Sequence, residues 1–441
     1  MAEVLPFRAV HYNPNMISGL NTVVTQPYDK ISPQMQARYY DLAPHNLVRI
    51  IRGRHLSNDG PQENAYLRAA RHFREWMEER IMVSEAEPAL YPYYQEYSLP
   101  GRAAATLERR GFIALLRLQD YSARVVHRHE ETLSGPKADR LELLKFTRAH
   151  FGQIFMLYND PQGSIEAALD AHCRDPVWQH VEDEYGAQHS VWRVTDPFTI
   201  EQVAEAMIDR KLVIADGHHR YETALAYRDL CRTRSTSDER AEYVVVTLVR
   251  METPGLTILP THRVVHSLSG FDWYQFLDGA RALFDWDVAS QGIDWRRFLE
   301  ALAEAGRERP ALGVYAQGAR LGLLRLRKNS DLARLLPDLP ASLRSLDVVI
   351  LHRLLLEGVL GISQQAVQEE KNLHYVREVE AATADVDQRK AQLCFLMNPT
   401  PIAAVRENAF AGIPMPQKST DFYPKLLSGL TVYWLDNPAG M

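Results

Sequence analysis

Residues 211–232, KLVIADGHHRYETALAYRDLCR, place the strongest constraint on the fold of this chain. The run 212–215 is wholly apolar and of a length typical of a buried strand. Asp216 and Gly217 follow it and predict a tight turn. Residues 221–232 then carry apolar side chains at helical spacing, namely Tyr221, Ala224, Leu225 and Leu230. A strand, a tight turn and a helix in this order predict the α/β class.

The start of this predicted helix favours an anionic ligand. The first turn of a helix directs backbone N–H groups outward, and the helix dipole adds a partial positive charge. Phosphate groups commonly bind at such ends. Asp216, His218, His219 and Arg220 are clustered there. A structural Asp/Gly turn with a solvated cationic helix start is the alternative interpretation.

Length and composition bound the remaining possibilities. The chain has 441 residues, which is long for one core and favours two domains. Its formal net charge of −6 argues against binding of nucleic acid that is mainly electrostatic. Three widely separated cysteines predict no disulfide framework and a reducing compartment. We see no signal peptide and no apolar segment that could span a membrane, so a cytoplasmic location is expected.

Patterning along the chain predicts a mixed α/β organisation. Residues 242–249 and 256–265 are interpreted as paired strands, and residues 343–360 as one longer helix. After residue 266 the composition changes, with more tryptophans and helix formers and fewer polar clusters. We therefore predict an N-terminal domain over 1–266 and a mixed α/β C-terminal domain over 267–441, whose tail is expected to return to the site.

Five clusters carry residues capable of chemistry: Tyr28–Asp29, residues 129–140, residues 216–220, Thr261-His262-Arg263 and residues 418–425. Sites assembled from several loops of one scaffold have this distribution. Asp29 is equally well explained as a turn residue.

A phosphate-handling interpretation uses most of these clusters. Gly217, His218, His219 and Arg220 would cradle a polyphosphate, and Lys418 or Lys425 would neutralise further charge. Glu130, beside His129, could accept a proton from a hydroxyl nucleophile. Asp216 could hold Mg²⁺, which needs only one or two protein carboxylates. Glu130, His129 and Asp216 are accordingly the predicted catalytic residues.

Competing sequence signatures are missing. There is no G-x-x-x-x-G-K-[ST] loop, no G-x-G-x-x-G and no G-x-S-x-G. A histidine metal site is the alternative, built from His129, His218, His219 and His262, although no H-E-x-x-H motif supports it.

DGHHR after an apolar strand, preceded by His129-Glu130-Glu131-Thr132, resembles the ParB/sulfiredoxin-like superfamily and, within it, the free-serine kinases. The resemblance implies a ParB/sulfiredoxin-like nucleotide-binding core with large insertions. It gives the phosphate role to residues 216–220 and the role of base toward the serine hydroxyl to Glu130, with Glu131 as the alternative. The chain departs from these kinases in a long insertion over residues 135–212.

Across nearly its whole length the chain is similar to the family called domain of unknown function 1015. The motifs that carry this similarity are PYDKIS, HEETLSGPKADR, ADGHHRYETAL, LPTHR and MPQKSTDFYPKLLSGL. This resemblance implies where the site lies and implies no reaction.

The leading hypothesis is a small-molecule kinase. It would use a nucleotide such as ATP or ADP, with Mg²⁺, to phosphorylate a small hydroxylated metabolite, and free serine is the first candidate. The alternative is a ParB-like nucleotide-binding protein with a regulatory or DNA-associated role and no kinase activity. A chain in which the site is vestigial is the third possibility. We expect no nucleic-acid or membrane partner.

Overall fold

The structure is a computed structural model that describes residues 1–100, 106–131, 135–174, 176–233, 238–289, 292, 294–438 and 440, without the side chains of residues 135 and 136. Residues 132–134 of the predicted HEETLSGPKADR motif lie outside the described residues. The chain divides into two compact units. The first comprises Met1–Arg128, Thr132–Leu256 and Pro424–Met441, and the second His129–Glu131 and Thr257–Tyr423. The predicted boundary of folding domains after residue 266 stays a prediction.

The first unit is organised around a large mixed sheet. The first twelve strands of the described chain lie in this unit, in the large sheet or in small two-stranded sheets. They are β1 (Val4–Leu5), β2 (Val10–Tyr12), β3 (Met82–Ser84), β4 (Tyr91–Ser98), β5 (Thr106–Arg117), β6 (Val126–His127), β7 (Ala149–His150), β8 (Ile154–Tyr158), β9 (Gln179–Glu182), β10 (Gln188–Val191), β11 (Leu212–Asp216) and β12 (Tyr243–Arg250). Eight of the described strands follow the order β6-β11-β8-β12-β5-β4-β10-β9, and β1 pairs with β5. The pairs β11–β6 and β12–β8 are parallel, and the others are antiparallel. The predicted α/β class is confirmed.

Helices cover this sheet. They are α1 (Leu20–Val23), α2 (Pro33–Leu42), α3 (Val48–Ile51), α4 (Ala65–Glu78), α5 (Gly135–Thr147), α6 (Ser164–Asp170), α7 (Pro197–Met207) and α8 (His218–Thr233). The core joins β5, β8, β11 and β12 to residues of α6, α7 and α8, among them Ile165, Val203 and Tyr221. Central β12, YVVVTLVR, is buried along nearly its whole length, as expected for a strand with neighbours on both sides.

The second unit has its own sheet and core. Its strands are β13 (Thr257–Leu259), β14 (His262–Val265), β15 (Phe284–Val288), β16 (Ala311–Ala316), β17 (Arg320–Leu326), β18 (Leu373–Val376), β19 (Leu393–Leu396) and β20 (Asp421–Tyr423). The sheet order is β15-β17-β16-β19-β14-β18, and β13 pairs with β20. The last strand of the chain, β21 (Tyr433–Trp434), belongs to the first unit, where it pairs with β7.

The helices of the second unit are α9 (Trp273–Arg281), α10 (Trp295–Glu308), α11 (Leu332–Leu335), α12 (Ala341–Arg344), α13 (Asp347–Ile350), α14 (Gln364–Gln368), α15 (Val379–Asp387) and α16 (Ile402–Ala411). A π-helix, Leu351–Glu357, follows α13 directly. Residues of α10 and α15 pack on β14, β16 and β19 to form the core.

Two expectations about elements are wrong. Residues 256–265 do not pair with 242–249: β12 pairs with β5 and β8, whereas β13 pairs with β20 and β14 with β18 and β19. Residues 343–360 form no single helix, because Leu346 is extended between α12 and α13. The break lets the Asp347 carboxylate accept hydrogen bonds from the backbone N–H of Ala311 and the amide of Asn398. None of the helices within the described residues is long and apolar enough to cross a membrane.

Candidate functional site

The turn between β11 and α8 is built as the sequence predicts. Residues 212–215 are buried, and Gly217 has a φ of +95°, which favours glycine. A Cβ at this position would lie 2.9 Å from Nε of Arg220. Hydrogen bonding inside α8 begins with the N–H of Tyr221, which donates to the Gly217 carbonyl at 3.0 Å. The turn formed by His218, His219 and Arg220 is therefore the positive end of a 16-residue helix.

The Arg220 guanidinium ties this turn to the sheet. Its Nη2 donates to Oδ2 of Asp216 at 2.6 Å, and its Nη1 donates to the Gln153 carbonyl. Gly152 lies against the same group, since a Cβ there would be 3.5 Å from Nη1 of Arg220. One arginine thus fixes the turn and the start of β8 together.

The C-terminal tail brings a second cation to Asp216. Nζ of Lys425 lies 3.4 Å from Oδ1 of Asp216. The tail is held by buried Arg109, which donates to Oε1 of Gln95 at 3.0 Å and to the Pro424 carbonyl. Gln95 in turn donates to the Lys425 carbonyl at 2.9 Å. The main chain on either side of Lys425 is therefore positioned by a buried polar network.

The Asp216 carboxyl is held in its ionised form. Burial opposes ionisation, but the positive charges of Lys425, Arg220, Lys30 and His218 outweigh it, so the pKa of Asp216 lies well below its usual value. Asp216 therefore acts as the anionic anchor around which the cations of this turn collect.

The loop that contains PYDKIS lies near the turn between β11 and α8. Thr25 and Ser428 exchange backbone hydrogen bonds of 3.2 and 2.8 Å. The Arg140 guanidinium lies 4.2 Å from the centre of the Tyr28 ring. Burial, assisted by the charge of Asp29, raises the pKa of the Tyr28 hydroxyl to about 12, so it remains protonated at neutral pH.

A small cavity of about 70 Å³ opens between these segments. Its lining includes Tyr28, Arg140, Gly152, Arg220 and Ser428. The cavity also receives the hydroxyl of buried Thr223, which has no hydrogen-bond partner in the described part of the chain. The first unit therefore has a small, partly open cavity next to its cationic turn.

The predicted base lies in the second unit. Oε1 of Glu130 accepts hydrogen bonds from the Thr420 N–H at 2.8 Å and the Thr420 hydroxyl at 2.9 Å. Nε2 of buried His129 lies 2.8 Å from the same hydroxyl. Met415 donates its N–H to the His129 carbonyl and accepts from the Glu131 N–H. This short segment is thus fixed to residues 415–420.

Lys418 belongs to the second unit, whereas Lys425 belongs to the first. Lys418 has a φ of +58°, and its carbonyl accepts from Nη2 of buried Arg263 at 2.9 Å. A cation role for Lys418 at the phosphate turn stays a prediction.

The alternative histidine site finds no support. In the described part of the chain, no group of three or more histidine, cysteine, aspartate or glutamate side chains could hold a metal ion. Nδ1 of His262 accepts from the Met397 N–H at 3.1 Å, which occupies that nitrogen.

Sequence reasoning missed several residues of the first-unit site. Lys30, Gln95 and Arg109 were not predicted to act there, and Arg140 was predicted only as a member of the cluster 129–140. For Lys30 and Arg140 the only sequence signal was their place in the motifs PYDKIS and HEETLSGPKADR, which contain charged residues in polar clusters. Gln95 and Arg109 lie in strands, and no local pattern marked them as partners of the tail.

Solved structures similar to the chain include a conserved hypothetical protein from Pyrococcus furiosus (11% identity, 70% of this chain and 92% of that one, TM-score 0.35). A free serine kinase in complex with AMP shares 12% identity over 69% of this chain and 89% of its own, with a TM-score of 0.34. SbnI from Staphylococcus aureus with a C-terminal truncation shares 9% identity over 74% and 90%, with a TM-score of 0.35.

No curated protein matches the sequence. A family model described as a protein of unknown function, DUF1015, matches residues 4–349. The match spans well over half of the 441 residues, so the chain belongs to the DUF1015 family.

Proposed function

We propose that the chain binds a nucleotide through its phosphates at residues 216–220 and transfers a phosphoryl group to a small hydroxylated metabolite. ATP or ADP is the proposed donor, and free serine is the first acceptor to test. The ParB/sulfiredoxin-like character of the nucleotide core is part of the same proposal.

One observation carries the proposal: cations from distant segments collect at the start of α8. Arg220 and Lys425 both contact Asp216, and Lys30 is close enough to lower the pKa of Asp216. Phosphate groups bind readily at helix N-termini that carry cationic side chains. Phosphoryl transfer asks a protein mainly for positioning and charge stabilisation.

The chemical roles follow the resemblance to free-serine kinases. Glu130 is proposed as the base, because Thr420 orients its carboxylate, and His129 is proposed to support it by contacting the same hydroxyl. Glu131 is the alternative base. Mg²⁺ is proposed to bind with the nucleotide phosphates and to keep most of its waters. The contacts of Asp216 with two cations favour an anchoring role, and the remaining lone pairs of its carboxylate are the proposed Mg²⁺ ligands.

The decisive experiment is a thermal-shift screen of ATP, ADP, AMP and CTP, each with and without Mg²⁺. A ligand at about 100 times its Kd adds roughly 2.7 kcal/mol to the stability of the folded state. Hits are then incubated with serine, and phosphoserine is sought by phosphorus NMR. Lys425→Met should weaken the nucleotide shift, whereas the matched change of exposed Lys371, Lys371→Met, should leave it intact.

A nucleotide shift with phosphoserine formation supports the proposal in full. A shift without transfer to any hydroxylated metabolite favours the regulatory alternative. Absence of any nucleotide shift in the folded protein would overturn nucleotide binding, and with it the kinase.

A further inference from the structure

The second unit contains a pocket of about 150 Å³ whose lining includes neither residues 216–220 nor Glu130. Its walls come from the region of α12 and the π-helix, from α14 and from residues 414–417, and Glu131 lies at its edge. The apolar part of the lining consists of Leu339, Leu343, Val349, Ile362, Val367, Pro414 and Pro416. Apolar cavities of about this volume bind ring-sized molecules such as benzene.

The lining also includes the polar side chains of Gln364, Gln368 and Gln417, and one buried polar atom of the pocket lacks a partner among the described residues. His352, the second residue of the π-helix, lines the pocket, and its Nε2 has no hydrogen-bond partner among the described residues. A buried polar atom left in this state costs about 1–3 kcal/mol, so it is uncommon without a ligand or water. π-helical turns are themselves rare and occur frequently at functional sites.

The His352 ring is neutral at physiological pH. Burial lowers its pKa to about 3, and the positive charge of Arg263 acts in the same direction. Each nitrogen of a neutral imidazole either donates or accepts one hydrogen bond, and a hydroxyl group can serve as partner to both kinds. A ligand hydroxyl therefore suits Nε2 of His352 whichever tautomer is present.

The charge at the edge of the pocket is negative. Glu131 is exposed, and no cation lies within ion-pair distance of its carboxylate in the part of the chain that the structure describes. Arg353 also lines the pocket, but its guanidinium is engaged by Asp338 at 2.8 Å and Glu357 at 3.1 Å. Buried Arg263, whose charge acts on His352, donates to the carbonyls of Thr261 and Lys418. At the edge formed by Glu131, a ligand ammonium group is therefore favoured over a carboxylate.

We propose that this pocket binds a small hydroxylated amine with an apolar body. The apolar walls bury the body, Nε2 of His352 pairs with the hydroxyl, and the Glu131 carboxylate attracts the ammonium group. The site lies within the second unit, and its lining includes none of residues 216–220.

Three matched probes test this site on the full chain without nucleotide. Tyramine carries both groups, phenethylamine lacks the hydroxyl, and 4-hydroxyphenylacetate replaces the amine by a carboxylate. Isothermal titration calorimetry should show tyramine binding about tenfold more tightly than either of the others, since each lost polar contact is worth roughly a factor of ten. Three equal affinities, or no binding by any probe, would overturn the proposal.

Variants assign each contact. His352→Phe should weaken tyramine about tenfold and leave phenethylamine nearly unchanged, because only tyramine uses the imidazole. Glu131→Gln should remove the preference for tyramine over 4-hydroxyphenylacetate. The matched change of an exposed glutamate outside the pocket, Glu380→Gln, should preserve that preference. Circular dichroism checks folding, and if His352→Phe fails to fold, Glu131→Gln and the probe ranking still decide. An unchanged ranking in Glu131→Gln would contradict the assignment.

Discussion

Gly217 combines a left-handed backbone with a close neighbour, and the two effects can be separated. Its φ is +95°, and an added Cβ would meet the Arg220 guanidinium at 2.9–3.0 Å. Gly186 has a φ of +80°, and a Cβ added there would have nothing within 4 Å, so Gly186→Ala reports the backbone cost alone. We expect Gly186→Ala to lose roughly 1 kcal/mol and Gly217→Ala about 2–3 kcal/mol in urea unfolding. Equal losses would show that Arg220 moves aside freely.

Asp216 makes stability depend on pH in a predictable direction. Because its pKa is lower in the folded state than in the unfolded chain, the unfolded state binds protons more readily. The stabilisation is fully present above the unfolded pKa, near 3.8, and is lost as the pH falls toward the folded value. Asp216→Asn should therefore flatten the decline in unfolding free energy below about pH 4. The change of exposed Asp209, Asp209→Asn, serves as the control and should leave the decline intact.

Glu130 can lose its basicity without losing its hydrogen bonds. The amide oxygen of Glu130→Gln can still accept from the Thr420 N–H and hydroxyl, which now bond to Oε1. We expect this variant to keep the nucleotide thermal shift and to lose about 10²–10⁴-fold in transfer rate. Glu131→Gln should retain the rate within about threefold, because its carboxylate is not the proposed base. The opposite pair of results would assign the base to Glu131.

Local sequence pattern predicted those helices and strands whose conformation depends mainly on neighbouring residues. The apolar run before Asp216 and the periodicity after it predicted β11 and α8. The periodic pattern begins only at Tyr221, whereas α8 begins at His218, because the first turn of the helix carries no apolar residue. Residues 256–265 were assigned the wrong partners, since strands β18, β19 and β20 lie more than a hundred residues later. Strand partners at such separations cannot be predicted from a short stretch of sequence.

The same limit applies to the site. Asp216, Gly217 and Arg220 were identified because their chemistry is concentrated in one turn. Lys425 was found through a polar cluster, and its contact with Asp216, 209 positions away, gives that expectation a geometric basis. Gln95 and Arg109 were not predicted to hold the tail, because polar side chains of a buried strand carry no periodic signal for a distant segment.

The connection between the tail and the sheet depends on Gln95. Its amide accepts from Arg109 and donates to the Lys425 carbonyl. Gln95→Leu leaves both groups without this partner, and each buried group costs about 1–3 kcal/mol, so we expect a loss of about 2–5 kcal/mol in urea unfolding. The nucleotide shift should fall as well, because the main chain at Lys425 loses one of the hydrogen bonds that position it. The exposed neighbour on β4 provides the control, and Glu96→Leu should change stability by less than about 1 kcal/mol.

The first unit is assembled from three separate pieces of chain. Its last piece, Pro424–Met441, follows the entire second unit in the sequence. The fold of the first unit therefore depends on residues that the chain supplies last. Thr25 pairs with Ser428, β7 pairs with β21, and Lys425 contacts Asp216.

Removal of the tail should therefore unfold the first unit and spare the second. Five aliphatic side chains of the tail are at most 5% exposed: Leu426, Leu427, Leu430, Val432 and Leu435. At about 1.5–3 kcal/mol each, their burial contributes roughly 8–15 kcal/mol, as much as the entire stability of a typical domain. In a chain that ends at Tyr423, hydrogen exchange should lose protection in β12 and keep it in β16, which belongs to the second unit. A chain that ends at Pro438 retains these side chains and should protect both strands. Persistent protection of β12 without the tail would mean that the first unit folds from its first two pieces alone.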